Sequence, residues 1–191
     1  MEFVQPRLTS GKLLLYSGQS EENAPHTQEV ALVLSKQAQN ALIGWKSHGP
    51  RIIKASLKTK KEGITVNIIQ CYAPANDHNE EAKDQFYNRL QSIIEKCPTK
   101  DLTILMEDFN AKVGADNTGY KDIMGRHGLG EGNENGEGFA NLCAFNKLVI
   151  GCTIFTHRCI HKTTWTSPDH TKKTKSTVSA PTKRSGGRWR T

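Results

Sequence analysis

Residues 102–114 read LTILMEDFNAKVG. The first five, 102–106, are apolar or β-branched, a composition typical of a short buried strand. The run ends where two carboxylates, Glu107 and Asp108, come shortly before Asn110. In open layered folds, polar side chains at the carboxyl end of a buried strand commonly point into a cleft. A second interpretation stays open, in which Asp108 and Asn110 only form an Asx-turn that ends the strand.

The two polar residues have complementary chemistry. A carboxylate at Asp108 can hold a hard cation or take a proton from water. Asn110 follows two positions later, so the strand period of two places it on the same side. Its amide can orient the carboxylate or donate a hydrogen bond to a substrate oxygen.

A second strand ends on a polar aromatic residue. Residues 68–74 read IIQCYAP, so this strand ends at Tyr72 and Pro74 closes it. Residues 51–59 and 64–72 predict a pair of hairpin strands, because the KKEG sequence between them has the polar and glycine chemistry of a hairpin loop.

The clearest helix prediction covers residues 77–96. Asp77 and Glu80 have the spacing of a capping box, and Pro98 ends the helix. The helix carries a single apolar stripe at helical spacing, made by Ala82, Phe86, Leu90, Ile93 and Ile94.

Shorter segments complete the predicted elements. Strands are predicted over residues 13–17, 29–35, 149–152 and 163–165, and one or two helical turns over 36–42. A helix over about 139–147 is predicted to carry Leu142, Phe145 and Leu148 toward a core. Hairpin strands together with covering helices indicate a mixed α+β layered domain rather than an all-parallel sheet.

The formal net charge of +7 is unevenly distributed. Residues 171–191 hold seven Lys and Arg and no acidic residue, whereas residues 1–170 are neutral overall. We therefore predict a domain over residues 1–170 and a basic, disordered tail over 171–191, because such a tail cannot bury enough apolar surface to fold alone. The tail is either a nucleic-acid contact arm or a solvated end without a partner.

Five cysteines show no regular spacing, and no apolar stretch after Met1 has the character of a signal peptide. We therefore expect reduced thiols in an intracellular protein, nuclear or cytoplasmic. No apolar run approaches the length of a membrane span. The residues Cys152, His157, Cys159 and His161 could suggest zinc, but their spacing fits no compact site, so a loop with incidental ligands is favoured.

The order of strand–Tyr-x-Pro, helix and strand–Asp-Phe-Asn resembles the middle of the endonuclease/exonuclease/phosphatase superfamily pattern. More narrowly, the chain resembles the apurinic-like endonuclease domain of non-LTR retrotransposons and the craniofacial development protein 2-like group derived from them. The resemblance covers most of residues 8–170, including RIIKASLKTKKEGITVNIIQCYAPAND, DLTILMEDFNAKVGADNTGYKDIMGRHGLG and HKTTWTSPDHT.

The resemblance implies a four-layer α/β/β/α sandwich and Mg²⁺-dependent phosphodiester cleavage, with DNA as partner. It implies that Asp108 activates the attacking water, Asn110 orients that water and touches the phosphate, and Tyr72 donates to a phosphate oxygen. It also implies that Trp165 helps to shape the cleft, although a core role is open.

The chain departs from the family pattern at both ends. The family's metal-binding Glu and its terminal Ser-Asp-His have no match here, so the sequence predicts an incomplete fold and weak or absent activity. Asp169 and His170 belong to the Ser-Pro-Asp-His turn rather than to that terminal motif. Glu107 replaces a usual glycine; it could substitute for the missing metal ligand beside Asp108, but strand alternation argues against this.

A glycine-rich loop is predicted over residues 114–136, and the glycines from Gly125 to Gly138 form neither a dinucleotide-binding nor a Walker motif. In the family fold such loops border the DNA cleft, so Arg126 and His127 are candidate phosphate contacts. Three functions follow: a partial phosphodiesterase, a non-catalytic nucleic-acid-binding module, or a retrotransposon-derived remnant without a role.

Overall fold

A computed structural model describes residues 8–17, 30–75, 78–108, 111–128, 130–154, 165–166, 173–174 and 177–181, of which 107–108 and the last three ranges are described by backbone alone. Its strands are β1 (Leu13–Tyr16), β2 (Ala31–Leu34), β3 (Leu42–Ser47), β4 (Ile52–Lys58), β5 (Thr65–Tyr72), β6 (Leu102–Asp108), β7 (Leu148–Ile150), β8 (Trp165–Thr166), β9 (Lys173–Thr174) and β10 (Thr177–Pro181). Its helices are α1 (Lys36–Ala41), α2 (Glu80–Glu95), α3 (Glu134–Phe145) and α4 (Gly151–Ile154).

The central sheet has six strands in the order β3-β4-β5-β6-β10-β7. The predicted hairpin is confirmed: β4 and β5 are antiparallel, and Gly63 in their loop has a φ of +72° that favours glycine. β6 lies parallel to β5 and extends to Asp108, two residues beyond the predicted end. A parallel neighbour requires a crossover connection, which α2 supplies.

Helix α2 packs its predicted apolar stripe against one face of this sheet. Phe86, Leu90, Ile93 and Ile94 are buried in one cluster with core residues of β4, β5, β6 and α3. The predicted start of the helix was wrong. Its N-cap is Asn79, whose side chain accepts a hydrogen bond from the Ala82 N–H at 2.9 Å, and Asp77 lies outside the described residues.

Helix α3 begins at Glu134, five residues before the predicted start, with Asn133 as its N-cap. Leu142 and Leu148 are buried as predicted, but Phe145 is 74% exposed. Six residues after the buried Phe139, Phe145 lies about a third of a turn away from the core-facing side of the helix. The prediction that Phe145 faces the core was therefore wrong.

The other face of the sheet meets a second, two-stranded sheet. β1 and β2 are antiparallel, and their Leu13, Leu15 and Leu34 form a separate buried cluster with Ala55 of β4. The described layers are therefore the helices α2 and α3, the six-stranded sheet and the β1–β2 sheet. The α+β class is confirmed, as an incomplete α/β/β/α sandwich.

Three strands were not predicted. β3 forms one edge of the central sheet and has a register shift between Leu42 and Gly44. β10 lies between β6 and β7 and is antiparallel to both. β9 pairs with β8 in a small separate sheet. β9 and β10 fall within residues 171–191, and the division of the chain at residue 170 stays a prediction.

The end of β7 differs from the prediction, because the strand stops at Ile150 and Cys152 belongs to α4. None of Cys71, Cys97, Cys143 and Cys152 forms a disulfide with another described residue, and Cys159 lies outside the described residues. Among the described helices, none has the length and apolarity needed to cross a membrane.

Candidate phosphate-binding edge of the central sheet

Tyr72 and Asp108 are the last residues of β5 and β6, and they are register partners in the parallel pair. Both strands therefore end at the same edge of the sheet. The sequence separated these two residues by a helix and a turn, but the parallel crossover returns the chain to the same level. The backbone of the described structure thus brings together two of the three residues implied to act on phosphate.

Arg51 fixes the Tyr72 end of this edge. Its guanidinium carbon lies 5.4 Å from the centroid of the Tyr72 ring. Its Nη1 donates to the Tyr72 carbonyl oxygen at 3.3 Å, and the Tyr72 N–H donates to the Arg51 carbonyl at 3.0 Å. Burial lowers the pKa of Arg51, while the neighbouring Tyr72 acts in the opposite direction. The guanidinium stays charged, because its ordinary pKa lies far above physiological pH.

The segment after Tyr72 is held by α3. Asn135, which is 2% exposed, donates from Nδ2 to the Pro74 carbonyl at 2.9 Å. The hydroxyl of Tyr87 on α2 donates to the Asn135 carbonyl at 3.1 Å. Lys83 and Glu134 form an ion pair of 2.7 Å between the same two helices. Helices α2 and α3 therefore fix the chain two residues beyond Tyr72.

A cavity of about 270 Å³ lies beside this edge on the α2 side. His48, Arg51, Pro74, His78 and Arg89 are among its lining residues. Basic side chains therefore form part of the lining of the space next to the Arg51–Tyr72 pair.

The remaining predicted site residues lie elsewhere or are only partly described. Glu107 is the register partner of Cys71, and Trp165 pairs with Thr174 in the β8–β9 sheet, but their side chains, like that of Asp108, are not described. Asn110 lies outside the described residues.

Arg126 and His127 lie in a segment anchored on α4. The His127 N–H donates to the Thr153 carbonyl at 2.9 Å, and the Gly125 N–H donates to the Thr153 hydroxyl at 2.9 Å. A Cβ added to Gly125 would lie 2.4 Å from the Thr153 carbonyl oxygen, so only glycine permits this approach. α4 follows β7, which β10 and β6 separate from β5.

The described residues contain no group of three or more His, Cys, Asp or Glu that could hold a metal ion. Mg²⁺ prefers carboxylate oxygens together with water and phosphate. A magnesium site at Asp108 and Glu107 therefore stays a prediction.

Two residues at this edge were missed by the sequence analysis. Arg51 could have been found from the hairpin register, which places the start of β4 opposite the end of β5. Asn135 carried no comparable signal, because its contact with Pro74 depends on the packing of α3.

Two known proteins are similar to this chain in sequence. No family model matches the sequence. Craniofacial development protein 2 from Tragulus javanicus is 38% identical over 140 residues, which cover 73% of this chain and 24% of that protein. Its namesake from Bos taurus is 39% identical over 140 residues, covering 73% and 23%. The chain thus spans about a quarter of the length of these curated relatives.

Solved structures share the fold. The endonuclease domain of TRAS1, a telomere-specific non-LTR retrotransposon, matches with a TM-score of 0.57 and 12% identity, over 93% of this chain and 70% of that domain. An endonuclease/exonuclease/phosphatase family protein from Leptotrichia buccalis C-1013-b gives 0.53 and 15%, over 91% and 61%. A humanized D. rerio TDP2 gives 0.52 and 10%, over 89% and 61%. At these identities the likeness establishes the fold alone.

Proposed function

We propose that the chain is a member of the endonuclease/exonuclease/phosphatase superfamily, and that the shared edge of β5 and β6 is a phosphodiester-binding cleft derived from a DNA-nicking endonuclease. The observation that carries the proposal is the register of Tyr72 with Asp108 at the carboxyl ends of two parallel strands. Ligands bind at such strand ends in open α/β sheets.

Each matched residue has a defined role in this proposal. The Tyr72 hydroxyl donates a hydrogen bond to a phosphate oxygen. Asp108 accepts a proton from water, and Asn110 holds that water toward the phosphorus. The water oxygen then bonds to phosphorus while one ester P–O bond breaks. The departing oxygen takes a proton from bulk water, and Asp108 returns the proton it accepted to the solvent.

We further propose that this chain alone hydrolyses phosphodiesters weakly or not at all. This proposal rests on the resemblance, in which the family's metal-binding Glu and terminal Asp and His were assigned no counterpart in residues 1–191. Loss of each stabilising group costs on the order of 10²-fold in rate, by analogy with single-donor deletions. Asp108 would hold a magnesium ion through its carboxylate, and the ion would supply positive charge to the phosphate oxygens.

The test is nicking of supercoiled plasmid with added Mg²⁺. The intact chain is compared with Asp108→Ala and with Asp84→Ala, which removes an exposed carboxylate on α2. Weak nicking that Asp108→Ala alone abolishes supports a working cleft. If the intact chain melts cooperatively but does not nick the plasmid, the cleft binds phosphodiesters without cleaving them. Equal nicking by all three proteins contradicts the role of Asp108.

A second candidate function is a nucleic-acid-binding module without catalysis. It is favoured by the excess of positive charge within residues 171–191. Deleting this segment would also remove β10 from the central sheet. The better variant replaces Lys183, Arg184, Arg188 and Arg190 with Gln, which leaves β10 intact. Binding that is steep in salt and weaker in this variant supports the contact arm.

The third candidate, a translated remnant without a role, makes a different prediction. A chain with an incomplete sandwich would expose core surface and sheet edges. Aggregation and a broad or absent melting transition would favour it. A single sharp transition in the purified chain would contradict it.

A further inference from the structure

A second basic region lies within residues 30–61, apart from the positive charge of residues 171–191. Residues 30–61 contain no Asp or Glu, although residues 1–170 are neutral overall. The same stretch contains seven Lys and Arg, which are Lys36, Lys46, Arg51, Lys54, Lys58, Lys60 and Lys61. Positive charge is therefore concentrated on β3, β4 and their connections.

The fold gathers part of this charge on one side of the sheet. Lys46 of β3 and Lys54 of β4 are register partners, and both line a cavity of about 380 Å³. Lys96 and Ile93, from the C-terminal end of α2, line the same cavity. The space therefore lies between the β3 edge of the sheet and α2. Like charges directly opposite each other are unfavourable in a sheet, so stability does not explain the Lys46–Lys54 pair.

This cavity continues toward the Tyr72 edge. His48 lines both it and the neighbouring 270 Å³ cavity, which Arg51 and Arg89 also line. The Arg89 Nη1 donates to the His48 carbonyl oxygen at 3.4 Å. Together the two cavities form what we term the basic groove, lined by Arg51, Arg89, His48, Lys46, Lys54 and Lys96.

The charges of the groove are not neutralised within the described part of the chain. There, none of Lys46, Lys54 and Lys96 is in an ion pair. Burial lowers the pKa of His48, and Lys46, Lys54, Lys96 and Arg89 lower it further. A positive potential is therefore focused where the two cavities meet.

Protection of the edge strand β3 against pairing with another chain explains only some of the basic residues in the groove. Lysine on an exposed edge strand discourages pairing with another chain, and Lys46 lies on such a strand. Lys54 lies on the internal strand β4, while Lys96 and Arg89 lie beside and on α2. These three residues therefore require another explanation.

We propose that the basic groove binds the phosphodiester backbone of a nucleic acid that also passes the Tyr72 edge. The cations are distributed over two neighbouring cavities that share His48 instead of converging on one point, which suits a chain of phosphates better than a single anion. Trp45 packs partly against the β1–β2 cluster and also lines the 380 Å³ cavity, where it lies beside the cations that contact phosphates in this proposal. Binding there is independent of base sequence. The groove does not require catalysis at Asp108, so the two proposals fail separately.

The test measures fluorescence anisotropy of a short labelled DNA, single-stranded and duplex, in EDTA. The intact chain is compared with Lys46→Gln/Lys54→Gln and with Lys60→Gln/Lys61→Gln. The second pair is exposed in the β4–β5 loop and lines neither cavity, but it removes the same charge. We expect the groove variant to bind about ten-fold more weakly and to lower the slope of log K against log salt by about two.

Three outcomes would overturn the proposal. Equal weakening by both double variants would assign binding to net charge, and no change in either would place it elsewhere on the chain. Competition by polyglutamate at the same charge concentration as DNA would indicate an acidic protein segment as the occupant. Circular dichroism and melting of each variant establish that folding is retained. Unchanged DNA binding by Asp108→Ala, alongside a groove effect, separates this site from the cleft.

Discussion

The guanidinium carbon of Arg51 lies 5.4 Å from the centroid of the Tyr72 ring. Two hydrogen bonds also connect the two residues, one from the Arg51 side chain to the Tyr72 carbonyl and one between main-chain groups. Tyr72 is the residue proposed to donate to a phosphate oxygen, and Arg51 also lines the basic groove. The pair therefore links the proposed cleft to the proposed groove. It also limits the orientations that the tyrosine ring can adopt.

The coupling between these residues can be measured by a double-mutant cycle. Arg51→Ala, Tyr72→Leu and the double variant are compared by urea unfolding. We expect a coupling of about 0.5–1 kcal/mol in the free energy of unfolding, the usual size of a partly exposed cation–π contact. Arg51→Lys serves as the control that keeps the charge but loses the planar face. A coupling of zero would show that the ring contact contributes nothing to stability.

The contact between Asn135 and Pro74 is expected to stabilise both the domain and the Tyr72 edge. Asn135→Ala leaves the buried Pro74 carbonyl without this donor, which costs about 1–3 kcal/mol. The free energy of unfolding is measured by urea titration. Asn141→Ala is the matched control on the same helix, because Asn141 is exposed and accepts only from the Tyr120 hydroxyl among its described contacts. Equal losses in the free energy of unfolding for the two variants would show that the buried Asn135 contact stabilises the protein no more than the exposed Asn141 contact does.

The sequence and the structure identify different N-cap residues for α2, namely Asp77 and Asn79. We expect Asn79→Ala to destabilise the protein by about 1 kcal/mol, because the Ala82 N–H loses its cap. Asp77→Ala, the substitution that the sequence alone would select, is expected to cost less. Thermal melting of the two variants decides between them. A larger loss for Asp77→Ala would restore the predicted capping box.

The elements most accurately predicted were those with a strong local signal. The glycine loop and alternating residues fixed the β4–β5 hairpin, and the stripe ending in Ile93 and Ile94 fixed the face of α2. Local patterns cannot identify an N-cap when Asp77 and Asn79 both have suitable side chains. The position of the cap depends on which one reaches the first free N–H groups.

The missed elements depend on partners distant in sequence. β3 has a register shift beside Gly44, which obscures the alternation of a strand. β10 contains Pro181 and lies among basic residues, and its place between β6 and β7 follows from pairing rather than composition. For the same reason, Tyr72 and Asp108 could each be predicted from the sequence as site residues. Only the parallel register of β5 and β6 shows that they lie side by side at one edge of the sheet.

The positive charges around His48 in the basic groove are expected to make the stability of the protein depend on pH. Burial and the neighbouring Lys46, Lys54, Lys96 and Arg89 lower the pKa of His48 from its ordinary 6.5. Below pH 6.5 the unfolded chain therefore binds a proton at this histidine more readily than the folded chain does. The contribution of His48 to stability is present above pH 6.5 and is lost as the pH falls through the lowered pKa.

We expect the melting temperature of the intact chain to fall from about pH 8 to pH 5, the range in which histidines titrate, and to fall less in His48→Gln. His78→Gln is the control, because His78 lines only the cavity nearer to Tyr72. Saturating DNA should reduce the fall in the intact chain, since bound phosphates offset the charges of the neighbouring lysines. A pH dependence that is identical in the intact chain and His48→Gln would contradict the focused positive potential at His48.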